Sequence, residues 1–237
     1  MQLLNPKFPN IYFKKDSKGR IKLYTKNLTP GIKFFDEQIE KEIEKEHKEL
    51  VEYRNWDPKR SKLAAAILKE ISQIGIKENN KILYLGASHG YTPSFLSDII
   101  GNNGFIFALD FAPRVVRDLV FLCEKRKNIT PILADANQPD TYKHRITKVD
   151  IVYMDVAQRN QAEIFLKNCD MFLKEDGFGL IAVKSRSIDI TKKPKEIYSL
   201  VRKELEKKIT VVDYRILDPY EADHAFFVCK KTQKNTN

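Results

Sequence analysis

From Asp57 onward the chain alternates short apolar runs with amphipathic segments of helical period, and few architectures accommodate that order. KILYLGAS, FIFALD, ITPILAD, VDIVYMDVA and GLIAVKS read as strands. RSKLAAAILKEISQIG, TPSFLSDII, PRVVRDLVFLCEKR, QAEIFLKNCDMFLKEDG and PKEIYSLVRKELEKK read as helices, the first of them running to a stop at Gly75. Repetition of this kind predicts an α/β fold with a doubly wound parallel sheet. ITVVDYRIL and HAFFVCKK close the chain as two more strands. DPYEAD between them is too short for a helical crossover, so this last pair must be antiparallel. The expectation is a mostly parallel sheet of seven strands.

The first 55 residues have a different texture. NIYFKK and IKLYTKNL flank DSKGR, as two strands around a turn would. In EQIEKEIEKEHKELVEY, Ile39, Ile43, His47 and Leu50 recur at helical spacing among Glu and Lys, which allows either a helix or a charged strand. His47 on that stripe reads as a packing residue. The expected organisation is a small, mostly β N-terminal domain over 1–55, an α/β domain over 56–231 and a frayed tail over 232–237.

Composition narrows the partners. Hydrophobic residues make up 42% of the 237, enough for a proper core. No apolar run reaches bilayer length and MQLLNPKF lacks a signal-peptide core, so a cytoplasmic location without membrane contact is expected. Cys123, Cys169 and Cys229 are scattered without metal-ligand spacing, read as reduced thiols, and no metal site is expected. The net charge of +10 favours a nucleic-acid partner modestly, because Lys outnumbers Arg and a Lys-rich background raises charge by itself.

In open α/β sheets ligands bind beyond the carboxyl ends of the strands, so the polar residues there are the candidates. The first strand of the α/β region runs into GASHGYT, where Gly86 and Gly90 permit a tight turn and close backbone approach. The second ends in Asp110, whose carboxylate suits a ribose diol; the third ends in Asp135, the fourth in Asp155 and the fifth in Lys184. A dinucleotide loop requires a third glycine, and Tyr91 and Pro93 occupy that neighbourhood instead. An adenosyl ligand without phosphates fits better, with S-adenosylmethionine the common one. Asp155 and Lys184 end adjacent strands and are within reach of an ion pair, structural or catalytic. His224, just before the last strand, reads in isolation as a surface imidazole.

WDPKRSKLAAAIL poses one further question. Asp57-Pro58 and Ser61 both resemble helix entrances, yet Lys62 places a cation at the helix mouth, where the dipole disfavours it.

TKNLTPG, EYRNWDPKRSKLAAAIL, KILYLGASHGYTPSFLSDIIG, NITPILADANQP, VDIVYMDVAQRNQAEIFLKN and PYEADHAFFV together resemble the fibrillarin family in its short archaeal form, from about residue 25 onward. The resemblance implies an S-adenosylmethionine-dependent methyltransferase fold and methylation of ribose 2′-hydroxyls in rRNA or tRNA. It implies direction by box C/D guide RNA, with a coiled-coil scaffold protein and a kink-turn-binding protein of ribosomal type as partners. It assigns a catalytic tetrad to Lys62, Asp155, Lys184 and His224. Cofactor positions carry over to Tyr91, Thr92, Asp110, Phe111, Asp135 and Ala136, and to Asp155, Val156, Ala157 and Gln158, beside Gly86 of the loop. The chain departs from the family's usual pattern at His89 and Tyr91, where small or hydroxylic residues are usual, at Asp110, which replaces Glu, and at Arg159, which replaces Pro.

Two other classes compete. A methyltransferase for bases or small molecules would place an NPPY-like stretch where this chain has DVAQ. A non-catalytic RNA-binding subunit would tolerate loss of the tetrad, all of which is present.

Overall fold

The structure, a computed structural model, describes residues 2–3, 8–44 and 48–232. His47 and the tail beyond Thr232 lie outside the described residues. The N-terminal sheet is built from β1 (Gln2–Leu3), β2 (Ile11–Lys15), β3 (Ile21–Lys26), β4 (Ile39–Ile43) and β5 (Leu50–Trp56), in the order β1-β2-β3-β5-β4. All its pairings are antiparallel. The β2–β3 hairpin closes because the Asp16 carboxylate accepts from the Lys18 and Arg20 amides and Gly19 adopts φ +76°.

The segment left open between helix and strand is a strand. Glu40 of β4 pairs with Lys14 and accepts from the Tyr24 hydroxyl at 2.5 Å, and Lys41 pairs with Glu52 at 3.0 Å. The charges that looked like a solvated helix face instead bind across strands and line a sheet edge.

Past this sheet come α1 (Lys62–Leu68), β6 (Lys81–Leu85), α2 (Tyr91–Ile100), β7 (Phe105–Asp110), α3 (Pro113–Lys125), β8 (Ile129–Leu133), β9 (Val149–Met154) and α4 (Gln161–Phe172). β10 (Leu173–Lys184), α5 (Ser185–Ile188), α6 (Pro194–Glu206), β11 (Thr210–Ile216) and β12 (His224–Lys230) complete the chain. The second sheet has seven strands in the order β11-β12-β10-β9-β6-β7-β8. β8, β7, β6, β9 and β10 are mutually parallel, whereas β12 runs antiparallel to β10 and β11. The expected seven-stranded α/β sheet and its antiparallel closing pair are both present.

The central strands are apolar on both faces, as a sheet covered on both sides requires. Along β6, Ile82 and Tyr84 face a core shared with α1, α2, α3 and Trp56 of the N-terminal sheet, while Leu83 and Leu85 face α4 and α6. Trp56 stacks on Phe95 of α2 at 5.3 Å, joining the two sheets' cores.

A buried charge network reinforces that junction. Asp98 of α2 receives Arg54 of β5 at 2.8 Å, the Thr25 hydroxyl at 2.7 Å, the Leu28 amide at 3.0 Å and Arg126. Arg54 also pairs with Glu37 at 2.9 Å, so two guanidinium groups meet two carboxylates away from water.

Two boundaries differ from expectation. The first helix ends at Leu68 rather than near Gly75: Glu70 turns to φ +59° and the Ile71 amide donates back to the Ala66 carbonyl. Arg215 of β11 binds the freed Lys69 and Glu70 carbonyls at 3.0 and 2.9 Å, and Asp213 accepts from the Ser72 amide. α4 likewise ends at Phe172, and its expected last turn is the start of β10. There the Gly177 carbonyl and Asp176 amide pair with Lys231.

Candidate active site

Strand order reverses between β6 and β9, so the helices after them leave on opposite faces and open a crevice at the carboxyl ends. Residues 86–90 and Asp155 flank it. Gly86 has φ +81°, and a Cβ there would lie 2.5 Å from the Asp155 carbonyl oxygen. The left-handed conformation alone costs a side chain about 1–2 kcal/mol, and the clash is with backbone. Gly86→Ala is therefore expected to lower the midpoint of chemical unfolding and to displace Asp155, read as weakened ligand binding at this crevice.

Asp110 is fixed by the same loop. Its Oδ2 accepts from the Ser88 amide at 2.9 Å and its Oδ1 from the Ala112 amide at 3.0 Å, with lone pairs to spare on each oxygen. Phe111 beside it is 67% exposed. Asp135 accepts from the Asn137 amide, while the Ala136 carbonyl is held by the buried Asn168 at 2.9 Å. These residues end neighbouring strands β7 and β8, lining one side of the crevice.

Ser61, not Asp57, caps α1: its Oγ accepts from the Ala64 amide and from the buried Thr92 hydroxyl at 3.0 Å. Asp57 instead closes a turn, accepting from the Lys59 amide. The N-termini of α1 and α2 are thus tied together, and Lys62 emerges beside them to pair with Asp155 at 2.9 Å. That carboxylate resolves the cation at the helix mouth. The two side chains are 22% and 25% exposed. Burial pulls the Lys62 ammonium down, but the charge of Asp155 and its hydrogen bond outweigh burial, and the net shift is upward. Beneath them Tyr84 and Tyr153 stack at 4.3 Å, their phenols pushed well above the ordinary value by burial, with Asp155 adding to it.

Lys184 and His224 are directly opposed on β10 and β12. His224 is buried, and its Nδ1 lies 2.7 Å from the Ala222 carbonyl. A carbonyl only accepts, so Nδ1 carries a proton. The Lys184 side chain is exposed and makes no ion pair or hydrogen bond among the described residues. The expected proximity of Asp155 to Lys184 is therefore not an ion pair, because Lys62 occupies the carboxylate from the helix side.

A cavity of about 850 Å³ runs outward from Lys62, Asp155 and Gly86. Its far wall is Phe34 and Phe35 of the N-terminal region, with Arg60 lying 4.2 Å over the Tyr91 ring. The cavity does not take in Asp110, Phe111, Asp135 or Ala136. Phe34, Phe35 and Arg60 were not among the sequence candidates; the Arg of WDPKRSKL was the only signal.

The family model described as Fibrillarin matches residues 4–233. The chain belongs to the fibrillarin family. A "Fibrillarin-like rRNA/tRNA 2′-O-methyltransferase" of Pyrococcus abyssi is 47% identical over 226 residues, 95% of this chain and 97% of the relative. A crystal structure of Aeropyrum pernix fibrillarin, with natively bound S-adenosyl-L-methionine, superposes with a TM-score of 0.85 at 41% identity, covering 95% and 96% of the two chains. A fibrillarin/Nop5p complex superposes with a TM-score of 0.80 at 36% identity, covering 94% and 97%.

Against the family's usual pattern, the departures of this fibrillarin-family chain fall at defined places. His89 lines the same cavity as Lys62 and Asp155, with Nδ1 3.1 Å from Ser88 Oγ and Nε2 3.5 Å from Asp118. The Tyr91 hydroxyl accepts from the Asp57 amide at 3.2 Å, and its ring packs on Phe35 and Phe95. Tyr91 therefore fastens the glycine loop to the N-terminal region. Arg159 is exposed. Val156, Ala157 and Gln158 follow Asp155 on the rim, Ala157 being exposed.

Proposed function

We propose that the protein methylates ribose 2′-hydroxyls of rRNA or tRNA with S-adenosylmethionine, directed by box C/D guide RNA. The observation that carries this is the Lys62–Asp155 ion pair at the strand-order reversal, beside Lys184 and His224 on neighbouring strands. The names of the 47%-identical relative and of the cofactor-bound fibrillarin support the same reading. Residues 56–231 would carry the reaction, with 1–55 supplying the far wall of the cavity.

The residues present fit the cofactor. The backbone approach that Gly86 permits, the spare lone pairs of Asp110 for a ribose diol and the open face of Phe111 for an adenine suit an adenosyl group. Asp135, Ala136, Thr92 and the 155–158 stretch complete that site, and Tyr91 supports it from behind. When bound, S-adenosylmethionine supplies an electrophilic methyl on a sulfonium. The chain must then orient the 2′-oxygen and accept one proton. Lys62, held protonated by Asp155, is unsuited to accept it and serves to fix the carboxylate. Lys184 Nζ, acting as the free amine, takes the proton and becomes the ammonium, and His224 Nε2 accepts a hydrogen bond that steers the ribose.

The net charge of +10 suits RNA, and the fibrillarin/Nop5p complex supports a coiled-coil scaffold partner. A kink-turn-binding protein would complete the assembly.

Two measurements test this reading. Isothermal titration should show binding of S-adenosylmethionine, and absence of binding at about millimolar concentration would favour a non-catalytic subunit. In single-turnover methylation of a guided RNA, Lys184→Ala should be slower by about 10²–10⁴-fold with cofactor affinity retained. A near-normal rate removes Lys184 from the proton-accepting role.

A further inference from the structure

The last residue of β10 lacks a strand partner on one side. β9 pairs with β10 through Ile181–Met154, and no ladder pair extends it to Lys184. A peptide group left unpaired at this depth would bind water or twist away, and the lysine's direction would be undefined. Gln161, the first residue of α4, fills the position. Its Oε1 accepts from the Lys184 amide at 3.1 Å and its Nε2 donates to the Lys184 carbonyl at 3.2 Å. The Gln161 side chain is fully buried. A carboxamide carries the same donor and acceptor as a peptide group, so Gln161 acts as a one-residue extension of the missing strand.

The consequence for Lys184 is geometric. With both its backbone groups turned toward Gln161, Lys184 faces His224 as a non-hydrogen-bonded antiparallel pair. The His224 carbonyl correspondingly turns away, accepting from the Leu217 amide at 2.9 Å. In such a pair the Cα atoms lie about 4.5 Å apart and the side chains are closest. Ser185 secures the next step, its amide and hydroxyl both donating to the Asp223 carbonyl at 3.0 Å.

We propose that Gln161 is a positioning residue that sets the Lys184 side chain beside His224 and toward the reacting hydroxyl. The inference rests on the reading above, in which Lys184 takes the proton. Gln161 is fully buried and acts through Lys184.

The test compares Gln161→Met, Gln161→Glu, Lys184→Ala and the Gln161→Met/Lys184→Ala double variant. Each is assembled with its partner proteins and guide RNA and assayed by single-turnover methylation. Gln161→Met preserves bulk and should slow the reaction about 10–100-fold, the scale of an ångström-level misplacement, with RNA and cofactor affinities unchanged. Gln161→Glu keeps the acceptor for the Lys184 amide but has no donor for its carbonyl, and should lose less. In the Lys184→Ala background the Gln161→Met change should cost less than about 2-fold, since coupled residues are non-additive. Hydrogen exchange at the Lys184 amide, which needs no turnover, should accelerate in Gln161→Met while the β10–β12 ladder stays protected. Equal losses in both backgrounds, or rates within about 2-fold of wild type for both single variants with exchange unchanged, overturn the proposal. A normal rate for Lys184→Ala alone would instead sink the proton-acceptor reading, so the two failures are distinguishable.

Discussion

Asp98→Ala is expected to lower the free energy of unfolding by about 3–5 kcal/mol, the usual cost of removing one partner from a buried ion pair. Asp98 is the hub on which Arg54, Arg126, the Thr25 hydroxyl and the Leu28 amide converge. Without it Arg54 retains Glu37, but the remaining hydrogen bonds of Arg126 among the described residues go to neutral partners, Ser97 Oγ and Asn27 Oδ1. Burial already pulls the Arg126 guanidinium down, and Asp98 is its chief offset. The loss is a large fraction of an ordinary domain's 5–15 kcal/mol, corresponding to a fall in Tm on the order of 10 °C for a chain of this size. Thermal and urea unfolding would measure it. Because the network joins α2 to the N-terminal sheet, the loss should appear in probes of both regions together. A change below about 1 kcal/mol would mean that the network contributes little beyond satisfying its own buried charges.

Asp155→Asn should abolish most of the activity with little change in fold. The amide keeps the shape but removes the charge that holds Lys62 protonated, and burial then pulls the Lys62 ammonium down instead of letting it rise. A decline of about 10²-fold or more in the single-turnover rate is expected, together with a downward move of the Lys62 Nζ titration in a labelled sample. In the wild type this pair's stabilisation is fully present below the unfolded lysine pKa of about 10.4 and is lost as pH rises through the higher folded value. Asp155→Asn should remove that alkaline decline, visible as a flatter unfolding free energy above the unfolded lysine pKa of about 10.4.

The parallel strands and the antiparallel closing pair were legible because each is encoded locally, in apolar runs, helical period and a connection too short to cross over. What was not legible depends on partners far away in the chain. Arg215 and Asp213 end α1 early by binding Lys69, Glu70 and Ser72 from β11, and no local pattern announces that contact. The charged segment of 39–43 has helical spacing, yet cross-strand pairs with Lys14 and Glu52 make it a strand. At the site, strand-end position alone singled out Asp110, Asp135, Asp155 and Lys184. Lys62 became interpretable only once α1 was seen to place it 2.9 Å from Asp155. His224 was ambiguous for the same reason: its meaning comes from the register that sets it opposite Lys184. Gln161 gave no signal at all, since a Gln at a helix start is ordinary until its carboxamide is found bound to a neighbouring strand's end.

Mapping the methyl group in the product tests the central claim most directly. The purified protein, its scaffold and kink-turn-binding partners, a guide RNA and a complementary target would be incubated with S-adenosylmethionine, and the modified nucleotide located by mass spectrometry. The account predicts one methyl on the ribose 2′-oxygen at the guided position, formed only in the complete mixture. A methyl on a base, or transfer that ignores the guide, would contradict it.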